Sequence, residues 1–498
     1  MLKLKLISYF PQVLKTISLS IFLAVIPINL YANYNVLDSI VNKEFQNRFQ
    51  LTPPLEVDIS QLKKFDEPYQ RQEISLAHHT AHQYQLSLMT KLDVYQAVEI
   101  ALQRHPDISR SIANISSQHA YIDRAKAAYY PQVSGNVASG DIASNKLFDQ
   151  VVSINANQML YDFGKVDTSV QIEQAKTKIE QTNLLDSIED LSQKVLSNII
   201  NIKRYTALYQ SAQQQIKGMQ RISEIAELRA QAGISSQADP IQTQSYLQSA
   251  QAYALAQQTQ LRLYQQRLNT LLAEDVSHIE WELPEALLTE ANLFEDVDVR
   301  QLPKMMLANA EFELIKLQQH ALKLTTYPTV QLKGELSQAL NRRHPTTGEK
   351  NGFDSSIAFE ANSNFYQGGS TTAQMKALQY AQDAARANLN SVNINIQEQI
   401  QIARQEITFK NRQMDILLKR AKTTAHTQDL YEEQYKLGTR TVLDLLNAEQ
   451  AIHSATQDIE NTRYDIFEQL VTYIAATGQA KQVYHFKNQH IQGLRLVP

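Results

Sequence analysis

A chain of 498 residues with 13 Gly, 13 Pro and no Cys has little helix-breaking punctuation, against average usage of about 7% and 5%. Long helices are expected, while disulfides, thiolate metal sites and a lipid-modified N-terminal cysteine are excluded. With 47 basic and 51 acidic residues the net charge is −4, and the basic residues are scattered, so the electrostatic footprint of a nucleic-acid binder is missing.

The first 32 residues carry Lys3, Lys5 and Lys15 and an apolar run over 17–30 that ends at Tyr31-Ala32-Asn33. They read as a signal peptide cut after Ala32. The alternative, an uncleaved anchor, has an apolar run shorter than the ~20 residues a span needs. Residues 33–86, with Pro53, Pro54 and Pro68, read as a polar N-terminal arm. Within it His78, His79 and His82 place two imidazoles on one helical face, but no carboxylate or cysteine lies at ligand spacing, so a solvated segment is expected rather than a metal site.

From Leu88 a helical pattern runs through Ala97, Val98, Ala101 and Leu102, breaks near Pro106, resumes and stops at Tyr129-Tyr130-Pro131, because the residue before proline avoids helical geometry. Strands are expected at about 132–139 and 151–161, followed by long helices; this first repeat spans 87–273. A linker over 274–301 leads to a second repeat over 302–478, with strands at about 329–338 and 354–365, and then a tail over 479–498.

The two halves correspond. Gly164, Gly233 and Asp239 recur 205 positions later as Gly369, Gly438 and Asp444, and Tyr130-Pro131 returns as Tyr327-Pro328. Between Gly369 and Gly438 there is no Gly or Pro, and between Gly164 and Gly233 only Gly218 intervenes. Helices filling those intervals would each run about 100 Å. In the second, Leu389, Val392, Ile396, Ile400, Ala403, Ile407, Met414, Leu417 and Ala421 form a seam at three-and-four spacing.

In every strand apolar and polar residues alternate: Val133, Gly135 and Val137 against Gln132, Ser134 and Asn136, for example, or Ile357, Phe359 and Ala361 against Ala358, Glu360 and Asn362. Strands of about ten residues with one apolar face suit a tilted crossing of a bilayer. A sheet packed on a soluble core would alternate in the same way. The aromatics separate the two readings, for Tyr129, Tyr130, Tyr161, Phe163, Tyr327, Phe365 and Tyr366 lie at strand ends that adjoin helices, as an interfacial girdle would. Four strands cannot close a barrel, and open edges in lipid leave backbone groups unpaired. A cyclic homotrimer would supply twelve.

The segment Leu160-Tyr161-Asp162-Phe163-Gly164, its counterpart Asn364-Phe365-Tyr366-Gln367-Gly368-Gly369, and above all the run from Tyr435-Lys436-Leu437-Gly438-Thr439-Arg440 through Asp444 to Asn447 resemble the signatures of the TolC family of outer-membrane channel-tunnels. The resemblance covers roughly residues 87–478. It implies a mainly α fold with a transmembrane β-barrel part: a coiled-coil α-barrel across the periplasm, with four strands per chain completing a 12-stranded trimeric barrel in outer-membrane lipid. It also implies docking onto an inner-membrane ABC or other transporter through a periplasmic adaptor protein. By the same resemblance, gate links would involve Asp239, Tyr435 and Arg440, and an entrance ring would form at Asp444. Asn447 stands where the family often has a second acidic ring. From the residues alone, Asp239 beside Pro240 equally fits helix capping.

No phosphate-binding glycine loop, nucleophile elbow or zinc-protease motif is present in the sequence, so neither enzymatic activity nor a cofactor is expected. The missing cysteine and the tip segment favour an exit duct for a protein substrate, such as a large adhesin, in a type I secretion system. Multidrug efflux is the alternative. A structural periplasmic coiled-coil protein is a third reading, and it would lack bilayer-length strands.

Overall fold

The computed structural model describes residues 57–58, 90–140, 149–284, 291–340, 347, 349, 351–484, 490–492 and 494–496. The expected signal peptide, most of the arm and the three histidines at 78, 79 and 82 lie outside the described residues. In chain order, β1 (Val57–Asp58) and β2 (Lys91–Asp93) precede α1 (Val94–Arg104) and α2 (Pro106–Lys126). The break between these helices is the one proline demands: His105 is extended, its Nδ1 accepts the Asp107 N–H, and Pro106 takes the first helical turn.

The first repeat continues with β3 (Gln132–Gly140), β4 (Asp149–Tyr161), α3 (Lys165–Gln231) and α4 (Ala238–Leu272). After β5 (Glu280–Glu282), the second repeat supplies α5 (Pro303–Leu324), β6 (Thr329–Ala339), β7 (Phe353–Asn362), α6 (Ser370–Lys436) and α7 (Val442–Ala476). The duplication is exact in helix length, with α3 and α6 at 67 residues each and α4 and α7 at 35. Both long helices begin after a glycine with positive φ, Gly164 at 88° and Gly369 at 85°, a conformation in which a Cβ is strained. Asp162 closes the first of these corners, where its two carboxylate oxygens accept the N–H groups of Gly164 (2.9 Å) and Val166 (2.6 Å). The fourth strand ends at Asn362, short of the expected 365. There the chain leaves the sheet, and the Ser363 hydroxyl donates to the Thr326 carbonyl at the corner.

The four long strands form one antiparallel sheet in the order β3-β4-β6-β7, so the repeats join through β4 and β6. Register keeps the two faces segregated across all four strands: Val133, Ala156, Gly334 and Ile357 share one row, while Ser134, Asn155, Glu335 and Ser356 share the next on the other face. Among the described residues β3 and β7 each have one strand neighbour. Each therefore leaves an open edge.

The predicted seam of α6 is in place. Ile396, Ile400, Ala403, Ile407 and Leu417 are buried, and Val392 and Met414 pack against the core. The main core joins α1, α2, α3 and α7 around Trp281 and Tyr484. The tail is more than an extension: α8 (Ala480–Val483) is followed by β8 (His490–Ile491) and β9 (Leu494–Leu496), and β9 pairs with β1 of the arm. Between them Gln492 donates to the Leu102 and His105 carbonyls (3.1 and 3.3 Å) and accepts from the Ser109 hydroxyl (2.6 Å), so its amide serves carbonyls freed at the α1–α2 break. Among the described residues no helix is long and apolar enough to cross a membrane.

Candidate gate and duct wall

Two helical hairpins, α3–α4 and α6–α7, turn at neighbouring tips. Each long helix ends in a glycine with positive φ, Gly233 at 71° and Gly438 at 79°. In the second tip the Gly438 and Thr439 N–H groups return to the Tyr435 and Gln434 carbonyls, both at 3.0 Å, the geometry that lets a C-terminal glycine satisfy otherwise orphaned carbonyls. A small apolar cluster of Met219, Ile222, Ala226, Ala250, Tyr435, Val442, Leu445 and Leu446 sits between the hairpins just above.

Tyr435 is 2% exposed. Its ring lies under the Arg229 guanidinium at 4.9 Å, and Arg229 Nη1 also donates to the Tyr435 and Lys436 carbonyls (3.0 and 3.3 Å). Arg229 from α3 thus grips the C-terminal end of α6, where a cation is favoured by the helix dipole. The Tyr435 hydroxyl is buried without a hydrogen-bond partner among the described residues. Burial pushes its pKa above the usual tyrosine value; Arg229 opposes that rise and Asp239 adds to it. Asp239 stands in the first turn of α4, half-buried, with its N–H donated to the Ser236 carbonyl.

Arg440 lies apart from this pair. Its guanidinium covers the Tyr431 ring at 4.4 Å, its Nε donates to Gln434 Oε1 (3.0 Å), and Asp444 is 3.9 Å away. Every one of these partners belongs to its own hairpin. Asp444 forms a capping box, accepting from the Thr441 N–H (3.3 Å) and hydroxyl (2.9 Å) while its own N–H is donated to the Thr441 hydroxyl (3.2 Å). Asn447 is exposed and accepts from the Tyr246 hydroxyl of α4 at 3.4 Å.

The hairpins are bridged further by Arg221 to Glu432 at 2.8 Å. Sequence reasoning missed Arg221 and Arg229, because their partners lie more than 200 positions away. The one available signal was weak: an arginine in the last turn of a helix, four residues before a glycine. At the other end of the long helices all seven aromatics expected to form a girdle, Tyr129, Tyr130, Tyr161, Phe163, Tyr327, Phe365 and Tyr366, are exposed at strand–helix corners. Phe163 contacts Tyr161 and Tyr327, with ring centroids 4.7 and 5.5 Å away. Among the described residues no group of three or more His, Asp or Glu is arranged to hold a metal ion.

Comparison with known proteins matches this arrangement. The family model described as outer membrane efflux protein fits residues 97–274 and 302–479, two segments separated by the 205-residue offset seen between the repeats. The chain is 22% identical over 399 residues to outer membrane protein TolC of Salmonella enteritidis, covering 75% of this chain and 78% of that protein. It is 21% identical over 391 residues to outer membrane efflux protein BepC of Brucella suis biovar 1, covering 76% and 84%. Among solved structures, the outer membrane protein VceC of Vibrio cholerae superposes with a TM-score of 0.67 at 15% identity, over 77% of this chain and 96% of that one.

Proposed function

The chain belongs to the outer membrane efflux protein family, and we propose on that premise that it forms the exit duct of a type I secretion system. It is an outer-membrane efflux channel of the TolC family, non-enzymatic, with its helical barrel in the periplasm. Channels of this family are trimers that work with adaptor proteins and inner-membrane transporters. In the proposed assembly a homotrimer closes a twelve-stranded barrel in outer-membrane lipid and receives a protein substrate from an ABC exporter through a periplasmic adaptor.

One observation carries the trimer: a second apolar stripe on α6. Ile394, Ile402, Phe409 and Ile416 recur at seven- or eight-residue spacing and are 63%, 50%, 62% and 66% exposed in the single chain. A stripe of this period asks for another helix, and the open edges of β3 and β7 ask for another strand. A neighbouring copy meets both needs at once. The whole duct is thereby built from one repeated contact.

Secretion of a protein is supported by the absence from the sequence of cysteine, the residue that would carry a lipid anchor. The Brucella relative is named as an efflux protein, which supports efflux, here of drugs, as the second reading. Deleting the gene tests both: lost surface release of an exported adhesin with unchanged dye and antibiotic sensitivity supports secretion, whereas the reverse pattern refutes it.

Arg440 has a place in the proposed gate. Within the chain its contacts stay in one hairpin, so any tie that shuts the tip through Arg440 runs to a neighbouring copy. A half-exposed charge contact contributes up to about 1 kcal/mol, weak enough to release on docking. Arg440→Ala is expected to raise single-channel conductance in a planar bilayer. Wild-type conductance in that variant would remove Arg440 from the gate.

A further inference from the structure

Just above the apolar tip cluster the seam between the two hairpins contains a buried carboxyl group where an apolar side chain would be expected. Glu449 of α7 is 5% exposed. Gln428 of α6 donates to its Oε2 at 3.0 Å, and His453 Nε2 of α7 lies 3.1 Å from its Oε1; both partners are themselves buried. The rest of the group projects onto α3 at Gly218. A Cβ built on Gly218 would stand 1.8 Å from Glu449 Oε1 and 2.6 Å from its Cδ. A side chain there would force the buried, hydrogen-bonded carboxyl group of Glu449 to move. Gly218 is the lone glycine of α3, mid-helix, where glycine has no turn to make and lowers helix stability. Space for Glu449 accounts for it.

Position gives this contact its leverage. Gly218 adjoins Met219, and Glu449 lies one turn beyond Leu445 and Leu446, so the notch is the next rung of the same stripe that forms the tip cluster. One turn further up α3, Gln215, also buried, donates to Gln450 Oε1 of α7 at 2.9 Å. An apolar seam tolerates sliding by one rung, because one aliphatic contact resembles the next. Glu449 cannot slide past α3 in that way, because its carboxyl group, held in place by two partners of its own hairpin, needs the space left at Gly218. The register that seats Glu449 is the one that places a glycine opposite it.

From this geometry we infer that Gly218 and Glu449 form a register lock between the two hairpins, positioning residues that set how the α3 and α7 tips stand relative to each other and hence the aperture of the duct. The inference rests on the reading of this chain as a duct. It assigns aperture control to a contact inside the wall, about ten residues from Arg440, rather than to the charges at the mouth.

The test is a double-mutant cycle on the full-length trimer, read by single-channel conductance and by thermal unfolding. Gly218→Ala drives a methyl group into the carboxyl group and is expected to change conductance about twofold or more. Glu449→Gln keeps shape and acceptor and should conduct as wild type. In the pair Gly218→Ala with Glu449→Ala the methyl group occupies vacated space, so conductance should lie nearer wild type than in either single variant. A Gly218→Ala trimer that conducts as wild type, or additive losses in the pair, would overturn the lock. Should Gly218→Ala fail to assemble, assembly restored in the pair supports the lock and continued failure overturns it. If the wild-type chain carries no current, the duct reading fails, and the lock is judged by the unfolding cycle, where additive losses overturn it.

Discussion

Glu189→Gln is expected to remove most of the loss of stability that the wild-type chain suffers between pH 4.5 and pH 8. Glu189 lies on α3 against the tail, where one oxygen accepts the Ala480 N–H and Oε2 is buried without a partner among the described residues. Burial, reinforced by the neighbouring charge of Asp186, pushes its pKa up to about 8 against the Ala480 hydrogen bond that opposes the rise. A carboxyl group whose folded pKa lies above its unfolded value binds its proton more tightly when folded. Its contribution is therefore complete below about pH 4.5 and is lost as pH rises through 8. The slope in that window is about 1.4 kcal/mol per pH unit, for a total of several kcal/mol. Trp281, the sole tryptophan, is buried in the same core and reports its unfolding by fluorescence. The wild type should melt at a lower temperature at pH 8 than at pH 5, while Glu189→Gln should show a much smaller difference, the remainder coming from Glu468, which burial also pushes up. A wild-type midpoint independent of pH would show that Glu189 is solvated after all.

Nothing in the sequence marks Glu189, and the reason is instructive. It lies between Ile188 and Asp190 on a helix rich in polar residues, so its residue type assigns it to the surface. The tail, folding back from about 290 positions away, meets it at Ala480. The same limit applies to Arg229, to the Glu449 notch and to Gln492. Each is an ordinary polar residue until a remote segment is laid on it. What could be read were properties local to a few turns: the glycines at both ends of α3 and α6, the period-two faces of the four strands, the proline break between α1 and α2, and the seam of α6. The second seam through Ile394, Ile402, Phe409 and Ile416 was equally local, yet it is diluted by the polar residues between its rungs. Asp444 carries two readings: its Thr441-x-x-Asp444 spacing is a capping signal, and in the structure its carboxylate serves the helix end, while the entrance ring rests on the resemblance.

Ile357→Arg should be among the most damaging single substitutions in the strands, and Ser356→Arg, one position away, nearly harmless. Ile357 is central in β7, in the row of Gly334, Ala156 and Val133, and is 80% exposed in the single chain. If that face met water, an arginine there would cost almost nothing, since surface substitutions are usually neutral. If it meets lipid, an arginine near the bilayer midplane costs about 2–4 kcal/mol. Ser356 shares the opposite face with Glu335 and Asn155, where an added guanidinium faces a polar interior and a carboxylate. The comparison is internal to one strand, and the loss of β propensity on replacing Ile rather than Ser, at most about 1 kcal/mol, is smaller than the cost expected in lipid. The measurement is the fraction of protein recovered as folded trimer in vesicles over a urea series: Ile357→Arg should shift the midpoint strongly downward and Ser356→Arg should leave it in place. Equal behaviour of the two variants would mean that the apolar rows do not face lipid, and the barrel would have to be abandoned along with the twelve strands it needs.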